Sequence, residues 1–438
     1  MEPTLMVVGL NYRTAPVAVR ERFWIDKGRR YDALVQLSGA EGVEEVIILS
    51  TCIRTEFWLW TDDVTLAANS VMRLLGIEYG LKLCEWKHFY RLLDDAALLH
   101  VFRVVSGLDC MAVGAPQIVP QLKEAWQQAQ QAGASGRFLD AVVQKALAVT
   151  ERVRSETAIE KVPISIPFTA LEFARQIFGT LENKKILLIG AGEMSELSAR
   201  GLLRQGGNSV RWTIVNRTFE NAAELAAKLG GSAIPFEQRA QPMAEADIII
   251  CSTACPHTIL VRNEVESIVR ERKNQPLVIL DLAMPRDVDP AVRNLEGVFL
   301  CDLDDLENVT DPNADEREAA AAEAHKILQA EVRGFRRKLL AERVVPTIVA
   351  LRQRLDEICG KELDTFCLEN GPFSKDQNEI LNAVLSRMTQ KIAGSLAREL
   401  KELPEKVEQE QLTTALQRLF HLQPPAAGPR TMAGGEPA

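Results

Sequence analysis

Lys184-Lys185-Ile186-Leu187-Leu188-Ile189-Gly190-Ala191-Gly192-Glu193-Met194-Ser195 is an apolar run that enters a glycine turn and then a helical stretch over 196–205. Further strand-like runs follow at 211–215, 247–251, 277–282 and 298–300, with helical segments between several of them. Such alternation predicts a doubly wound parallel sheet, a Rossmann domain. The Gly190-Ala191-Gly192 turn lets the backbone approach a pyrophosphate, and the helix start after it offers free N–H groups. A purely structural turn is the competing reading, because Ser195 fills the third glycine position. At the end of the second strand stands Asn216-Arg217-Thr218, where an NAD enzyme usually carries an acid. The arginine suits a 2′-phosphate by charge and fork geometry, which favours NADP(H) over a solvated loop arginine. The expected cofactor contacts are therefore Gly190, Ala191, Gly192, Glu193, Met194, Ser195, Asn216, Arg217 and Thr218.

Toward the N-terminus, Ser50-Thr51-Cys52-Ile53-Arg54-Thr55-Glu56 lies between Val46-Ile47-Ile48-Leu49 and Phe57-Trp58-Leu59-Trp60, two strand-like runs. A thiol attacks as its thiolate, and an adjacent guanidinium lowers the cost of that charge, so Cys52 with Arg54 reads as an activated pair. The alternative is a buried cysteine ending a strand. Met6-Val7-Val8-Gly9-Leu10 reads as another strand, residues 17–24 begin a helical stretch, and helical spacing takes over after Thr65. The region resembles a small α/β sandwich with packed helices. Residues 151–167, with Pro163 and Pro167, read as a linker.

Toward the C-terminus, residues 315–343 lack proline and place Leu328, Val332, Phe335 and Leu339 at helical spacing. One helix of about 40 Å is expected, kinked or ended by Pro346. Helices over 347–359 and 380–400 complete a helical tail that reads as a dimerisation element, and 424–438 is Pro/Gly/Ala-rich and expected to be disordered. The expected division is 1–155, 156–311, 312–423 and 424–438.

A chain of 438 residues with 47% hydrophobic and 25% charged residues fits an ordinary globular protein of roughly three domains. Its eight cysteines show neither metal-ligand spacing nor the density of a secreted disulfide scaffold, so a reducing, cytoplasmic setting is expected. The N-terminus carries no leader-like pattern. A net charge of −9 argues against a generally basic nucleic-acid binder. Asp302-Leu303-Asp304-Asp305 reads as a solvated acidic loop rather than a metal site.

A thiol in one domain and a hydride donor in another allow an activated acyl group to be captured as a thioester and reduced to an aldehyde. At this point the ordered motifs resemble the glutamyl-tRNA reductase family, from Val8 to about Arg354 and more weakly to about 420: Val8-Gly9-Leu10-Asn11, Ser50-Thr51-Cys52 with Arg54-Thr55-Glu56, Ser106-Gly107-Leu108-Asp109, Pro116-Gln117-Ile118, the glycine turn, Asn216-Arg217-Thr218, Pro285-Arg286-Asp287 and Val344-Val345-Pro346-Thr347. The resemblance implies that Cys52 attacks the ester of glutamyl-tRNA(Glu) and that NADPH reduces the thioester to glutamate 1-semialdehyde, opening five-carbon tetrapyrrole (porphyrin) biosynthesis. It further implies His100 as a catalytic histidine near the nucleophile that assists proton transfer, although from its own surroundings His100 reads as an ordinary helix histidine. Substrate-binding positions implied in the same way are Thr51, Cys52, Ile53, Arg54, Cys110, Ala115, Pro116, Gln117 and Gln121. The family architecture is a V-shaped homodimer on a long spinal helix, with hand-over of the aldehyde to glutamate-1-semialdehyde aminomutase.

Tyr12, Ile53, Cys110 and Ala115 stand where the family usually has histidine, asparagine, serine and glutamate. Each lost neutral contact weakens substrate hydrogen bonding by about 0.5–1.5 kcal/mol. Two other readings remain open at this point: a degenerate homologue that binds tRNA or NADPH as a regulator, and a small-molecule oxidoreductase of the shikimate dehydrogenase type.

Overall fold

The computed structural model describes residues 3–111, 114, 117–159, 166–204, 210–273, 275–308, 314–371, 373–402 and 406–422. The expected linker residues Pro163, Ile164 and Ser165 and the 424–438 tail lie outside them. The chain divides into two compact units, Met1–Gln329 and Ala330–Ala438.

The first sheet comprises β1 (Thr4–Asn11), β2 (Glu45–Ser50), β3 (Arg54–Thr61) and β4 (Tyr90–Leu93) in the antiparallel order β2-β3-β1-β4. The expected helix over 17–24 is shorter: α1 (Val17–Arg20) passes into a single 3-10 turn, Glu21–Phe23. The sheet is joined by α2 (Lys27–Ser38), α3 (Val64–Tyr79), α4 (Asp94–Val105), α5 (Ile118–Gln131) and α6 (Arg137–Glu156). Strand β4, four residues long, carries too short a pattern to be read from sequence.

Strand register brings three residues into line. Gly9 lies opposite Glu56 on β3 and opposite Tyr90 on β4, so they form one row across the sheet. Period two then places Arg54, Glu56 and Trp58 on one face. A Cβ on Gly9 would lie 2.8 Å from Cγ of Glu56 and 2.7 Å from the Thr55 carbonyl oxygen. Only glycine leaves that row open.

After α7 (Ile166–Phe178) comes the six-stranded parallel sheet, formed by β5 (Lys185–Ile189), β6 (Arg211–Asn216), β7 (Ser232–Pro235), β8 (Ile248–Cys251), β9 (Leu277–Asp281) and β10 (Val298–Cys301) in the order β10-β9-β8-β5-β6-β7. The crossovers include α8 (Glu193–Arg204), α9 (Phe219–Leu229), α10 (Ala240–Glu245) and α11 (Arg262–Glu271). This is the doubly wound domain expected, with β7 as an additional short strand. The strand order reverses at β5, which puts the crevice at its carboxyl end.

The long C-terminal helix departs from expectation. Instead of stopping near 343, α12 runs Ala314–Asn370 with Pro346 inside it. An interior proline forfeits one helix hydrogen bond and costs about 3 kcal/mol, and burial of Thr347 and Leu351 just beyond it favours continuation. Two helices follow, α13 (Lys375–Glu402) and α14 (Lys406–Leu419), and Leu400 and Leu416 pack with Ile348, Leu396 and Phe420. Along α13, Ile380, Val384, Met388 and Ile392 form an exposed apolar stripe at four-residue intervals. Among the described residues no helix is long and apolar enough to cross a membrane.

Gly9→Ala is expected to destabilise the first unit by about 1–3 kcal/mol through overpacking. Gly76→Ala is the matched control. Gly76 sits inside α3 with nothing closer than 4.0 Å to an added Cβ, so it should gain about 0.4–1 kcal/mol. Urea unfolding of the two variants should move in opposite directions.

Candidate active site

Cys52 sits in the turn between β2 and β3. The turn is held by Thr51 N–H donating to the Arg54 carbonyl at 2.8 Å, and it is tied to the end of β1 by Tyr12 N–H donating to the Ile53 carbonyl at 2.9 Å. Thr51 Oγ1 accepts the Ile53 N–H. The hairpin is thereby rigid at the residue that must present the thiol.

Beneath it, Glu56 is fully buried and ringed by donors. Arg54 Nη1 and Tyr90 Oη each donate to Oε1 at 2.6 Å, Trp58 Nε1 donates to Oε2 at 2.8 Å, and His100 Nε2 on α4 lies 3.0 Å from Oε1. The Tyr90 phenol reaches Glu56 over Gly9, where there is no side chain to block it. Burial alone would raise the Glu56 pKa, but the His100 and Arg54 charges and the hydrogen bonds hold it far below the usual carboxylate range. Burial likewise opposes the charge on Arg54, and Glu56, Tyr90 and Asp109 more than restore it.

Arg54 Nη1 also donates to Asp109 Oδ2 at 3.0 Å, and Nη2 donates to the Asp109 carbonyl. Arg13 reaches the other Asp109 oxygen at 3.1 Å. The guanidinium expected to activate Cys52 is thus already matched by two carboxylates. Its Nε is buried and has no partner among the described residues.

One cavity gathers Thr51, Cys52, Ile53, Arg54, Cys110, Gln117 and Gln121 with Val104, Asp109 and Ile118. Ile166, Pro167 and Met194 close its far side, Met194 coming from α8 of the nucleotide domain. His100 is not among the wall residues; it stands behind Glu56. Ala115 and Pro116 lie outside the described residues, as does the side chain of Glu193. Tyr12 and Ile53, two of the departures, are buried, and the Cys110 thiol donates to the Gly107 carbonyl at 2.8 Å.

The half-buried Cys52 packs, together with Trp24, against an apolar core formed largely by the nucleotide domain. Burial pushes its thiol pKa up, opposed first by Arg20, then by its own backbone N–H and Arg54. Sequence reading missed Arg20, Glu56 and Asp109. Arg20 and Asp109 are far from Cys52 along the chain, and Glu56 carries no signal of the donors that converge on it.

A second, open cleft of about 1370 Å³ lies at the carboxyl ends of β5, β6 and β8, lined by Gly190, Ala191, Gly192, Met194, Asn216, Arg217 and Thr218, with Ser252 to Cys255 opposite. Gly190 has φ +107°, and a Cβ there would lie 2.9 Å from the Ser252 carbonyl oxygen, so this turn requires glycine. Ser195 does not line the cleft. Its buried hydroxyl donates to the Gly190 carbonyl at 2.7 Å and meets Ser252 Oγ at 2.6 Å, which explains how serine replaces a third glycine without an unpaired polar group. Asn216 Nδ2 caps the Thr218 carbonyl at 2.9 Å and leaves Arg217 exposed at the cleft. A glycine cradle, a helix start and an exposed arginine at the second strand fit NADPH.

Residues 8–157 match the family model for the glutamyl-tRNA(Glu) reductase N-terminal domain, and 323–422 match that for its dimerisation domain. The chain is 39% identical over 432 residues to the glutamyl-tRNA reductase of Desulforudis audaxviator, covering 98% of this chain and 96% of that one. The chain belongs to the glutamyl-tRNA reductase family. The Solibacter usitatus glutamyl-tRNA reductase is 36% identical, with 96% and 99% covered. The solved glutamyl-tRNA reductase from Methanopyrus kandleri is 28% identical, covers 95% of this chain and 99% of its own, and has a TM-score of 0.48. Residues 172–309 match the shikimate / quinate 5-dehydrogenase model. That likeness stops at the nucleotide domain, whereas likeness to the glutamyl-tRNA reductase family extends through both flanking regions, so the small-molecule dehydrogenase reading is not favoured. Likeness over nearly the whole chain to proteins named as glutamyl-tRNA reductases speaks equally against a purely regulatory homologue.

Glu56→Gln is expected to cost about 3–5 kcal/mol at neutral pH, the penalty for breaking a buried ion pair. Because the folded pKa of Glu56 is depressed, its contribution is complete above about pH 4.3 and is lost as pH falls through the folded value. Unfolding free energies measured from pH 7 to pH 3 should therefore fall less steeply in Glu56→Gln than in the parent.

Proposed function

We propose that this chain reduces the glutamyl ester of tRNA(Glu) to glutamate 1-semialdehyde through a thioester on Cys52. The activity is that of the family, an NADPH-dependent oxidoreductase acting on an acyl group at the start of tetrapyrrole synthesis. The observation that carries the residue assignment is the single cavity in which Cys52, Thr51, Arg54, Gln117 and Gln121 meet Met194 of the nucleotide domain.

In this reading the Cys52 thiolate attacks the ester carbonyl carbon, and the bond to the tRNA ribose oxygen breaks. The oxygen leaves as the tRNA hydroxyl, taking up the proton that the Cys52 thiol gave up, and the glutamyl group stays on sulfur. Thr51, Gln117 and Gln121 hold the glutamyl group. Arg54 offers the unpartnered Nε–H, while Glu56 and Asp109 fix the plane of its guanidinium. His100 acts through Glu56 as a positioning residue in this arrangement. Ile53, Val104, Ile118, Ile166 and Pro167 make the cavity wall largely apolar, which excludes water from the thioester. Isoleucine in place of asparagine at 53 adds to that exclusion at the expense of one polar contact. NADPH, when bound at Gly190–Gly192 and Arg217, supplies the hydride that releases the aldehyde.

The dimerisation domain and the exposed apolar stripe on α13 support a homodimer. The division at 155/156, 311/312 and 423/424, a cytoplasmic setting and hand-over of the aldehyde to glutamate-1-semialdehyde aminomutase belong to the same proposal. An unstable aldehyde is the chemical reason for the hand-over.

Cys52→Ser should lose aldehyde formation from glutamyl-tRNA and NADPH by at least about 10³-fold, in the range seen for lost covalent catalysis. Undiminished turnover would remove Cys52 as the nucleophile. Arg217→Ala should raise KM for NADPH by about tenfold or more while leaving KM for NADH nearly unchanged. Equal effects on the two cofactors would mean that Arg217 does not contact the 2′-phosphate.

A further inference from the structure

Pro285-Arg286-Asp287 lies in the loop after β9 and is not among the wall residues of the Cys52 cavity or the nucleotide cleft. Its two charged residues reach in different directions. Arg286 meets the catalytic domain: Nε donates to Glu21 Oε2 at 2.9 Å and Nη2 donates to Oε1 at 2.6 Å, with both side chains partly buried. Such a fork sets the angle of approach as well as the distance. Asp287, fully buried, meets the wall of the nucleotide cleft. Its carboxylate accepts the Thr253 N–H at 2.8 Å and the Thr253 hydroxyl at 2.5 Å, and its carbonyl accepts the N–H groups of Ile259 and Leu260 at 2.8 and 2.9 Å. Thr253 and Ile259 line the cleft together with Gly190. The Asp281 carboxylate accepts the N–H groups of Asp287 and Val288, at 3.3 and 2.9 Å, which fixes the backbone between the two contacts. An unbroken run of bonded contacts therefore joins Glu21 to the cleft wall. Arg20, next to Glu21, pairs with Asp304 after β10 at 2.5 Å, with the opposite polarity. A displaced seating of the nucleotide domain would bring like charges together, so the two pairs select one register.

We infer that Glu21 and Arg286 are positioning residues for the reductive step, holding the nucleotide cleft, through Asp287, in register with the acyl group on Cys52. The inference deepens the thioester reading and rests on it. Acylation of Cys52 draws on side chains of the catalytic domain, whereas reduction needs both domains in one geometry. Loss of the pair therefore falls on the second step. The two sites adjoin at Met194, which lines both, and the partly buried Cys52 packs against the apolar core of the nucleotide domain. A domain held less firmly thus leaves the thiol more open as well as the reacting groups less well aligned.

The test separates the two steps in the full-length chain carrying Glu21→Gln, Arg286→Gln or both. Cys52 is first acylated with glutamyl-tRNA in the absence of cofactor, followed by peptide mass spectrometry, and the thioester is then mixed rapidly with saturating NADPH. Each single variant should acylate no more slowly than the parent and reduce the thioester about tenfold more slowly. The double variant should be no slower than either single one, because both substitutions remove the same contact. In the cofactor-free chain, alkylation of Cys52 by iodoacetamide should be about threefold faster in all three variants, reporting looser seating without any turnover. A reduction rate that is unchanged or raised, acylation slowed as much as reduction, additive losses in the double variant, or unmoved alkylation would each overturn the inference. Should one single variant fail to fold, the other decides. If the parent carries no acyl group on Cys52, it is the thioester reading that fails, and that is seen before any variant is compared.

Discussion

A carboxylate without access to water, Glu56, is the point on which the catalytic half of the molecule depends. Four donors from β3, β4 and α4 converge on it, and each is placed there by backbone geometry. Period two along β3 brings Arg54 and Trp58 to one face, the register across Gly9 brings Tyr90, and α4 brings His100. A charge buried without these partners would be prohibitively unfavourable, and the same partners buried without the charge would be left with unmet N–H and O–H groups. Removing any one therefore disturbs all of them. The network passes through Arg54 to Asp109 and Arg13, and the Arg54 guanidinium forms part of the cavity beside Cys52, so the rigidity of the sheet is transmitted to the site through one planar group.

The thiol itself is governed by a different constraint. Cys52 lies where the catalytic domain meets the nucleotide domain, covered by apolar side chains from both, and that burial favours the neutral thiol. Nearby positive charge offsets only part of that cost, and burial brings a benefit: an acyl group held in such a cavity is shielded from hydrolysis until a hydride arrives. Met194 belongs both to the cleft beside Gly190–Gly192 and to the cavity of Cys52.

Much of this was legible in the residues. The apolar run into Gly190-Ala191-Gly192 carries its own signal because strand, turn and helix start are contiguous, and the hairpin around Cys52 is bounded by two strong strand formers. The long helix was underestimated because Pro346 carries a local penalty, while the packing that outweighs it lies further along the chain. The charge arrangement was not legible at all. Nothing near Arg54 in sequence reveals that Asp109 will neutralise it, because that contact arises only when separate elements are folded together. The departure at Ile53 was visible, but its meaning as part of an apolar wall needed the cavity.

On the proposed route the acyl group resides on Cys52 between tRNA and aldehyde. Full-length protein incubated with glutamyl-tRNA in the absence of NADPH, quenched in acid and mapped by mass spectrometry, should carry a glutamyl group on Cys52. That adduct should vanish on addition of NADPH as the aldehyde appears. An adduct on any other residue, or aldehyde formed with Cys52 never acylated, would contradict it.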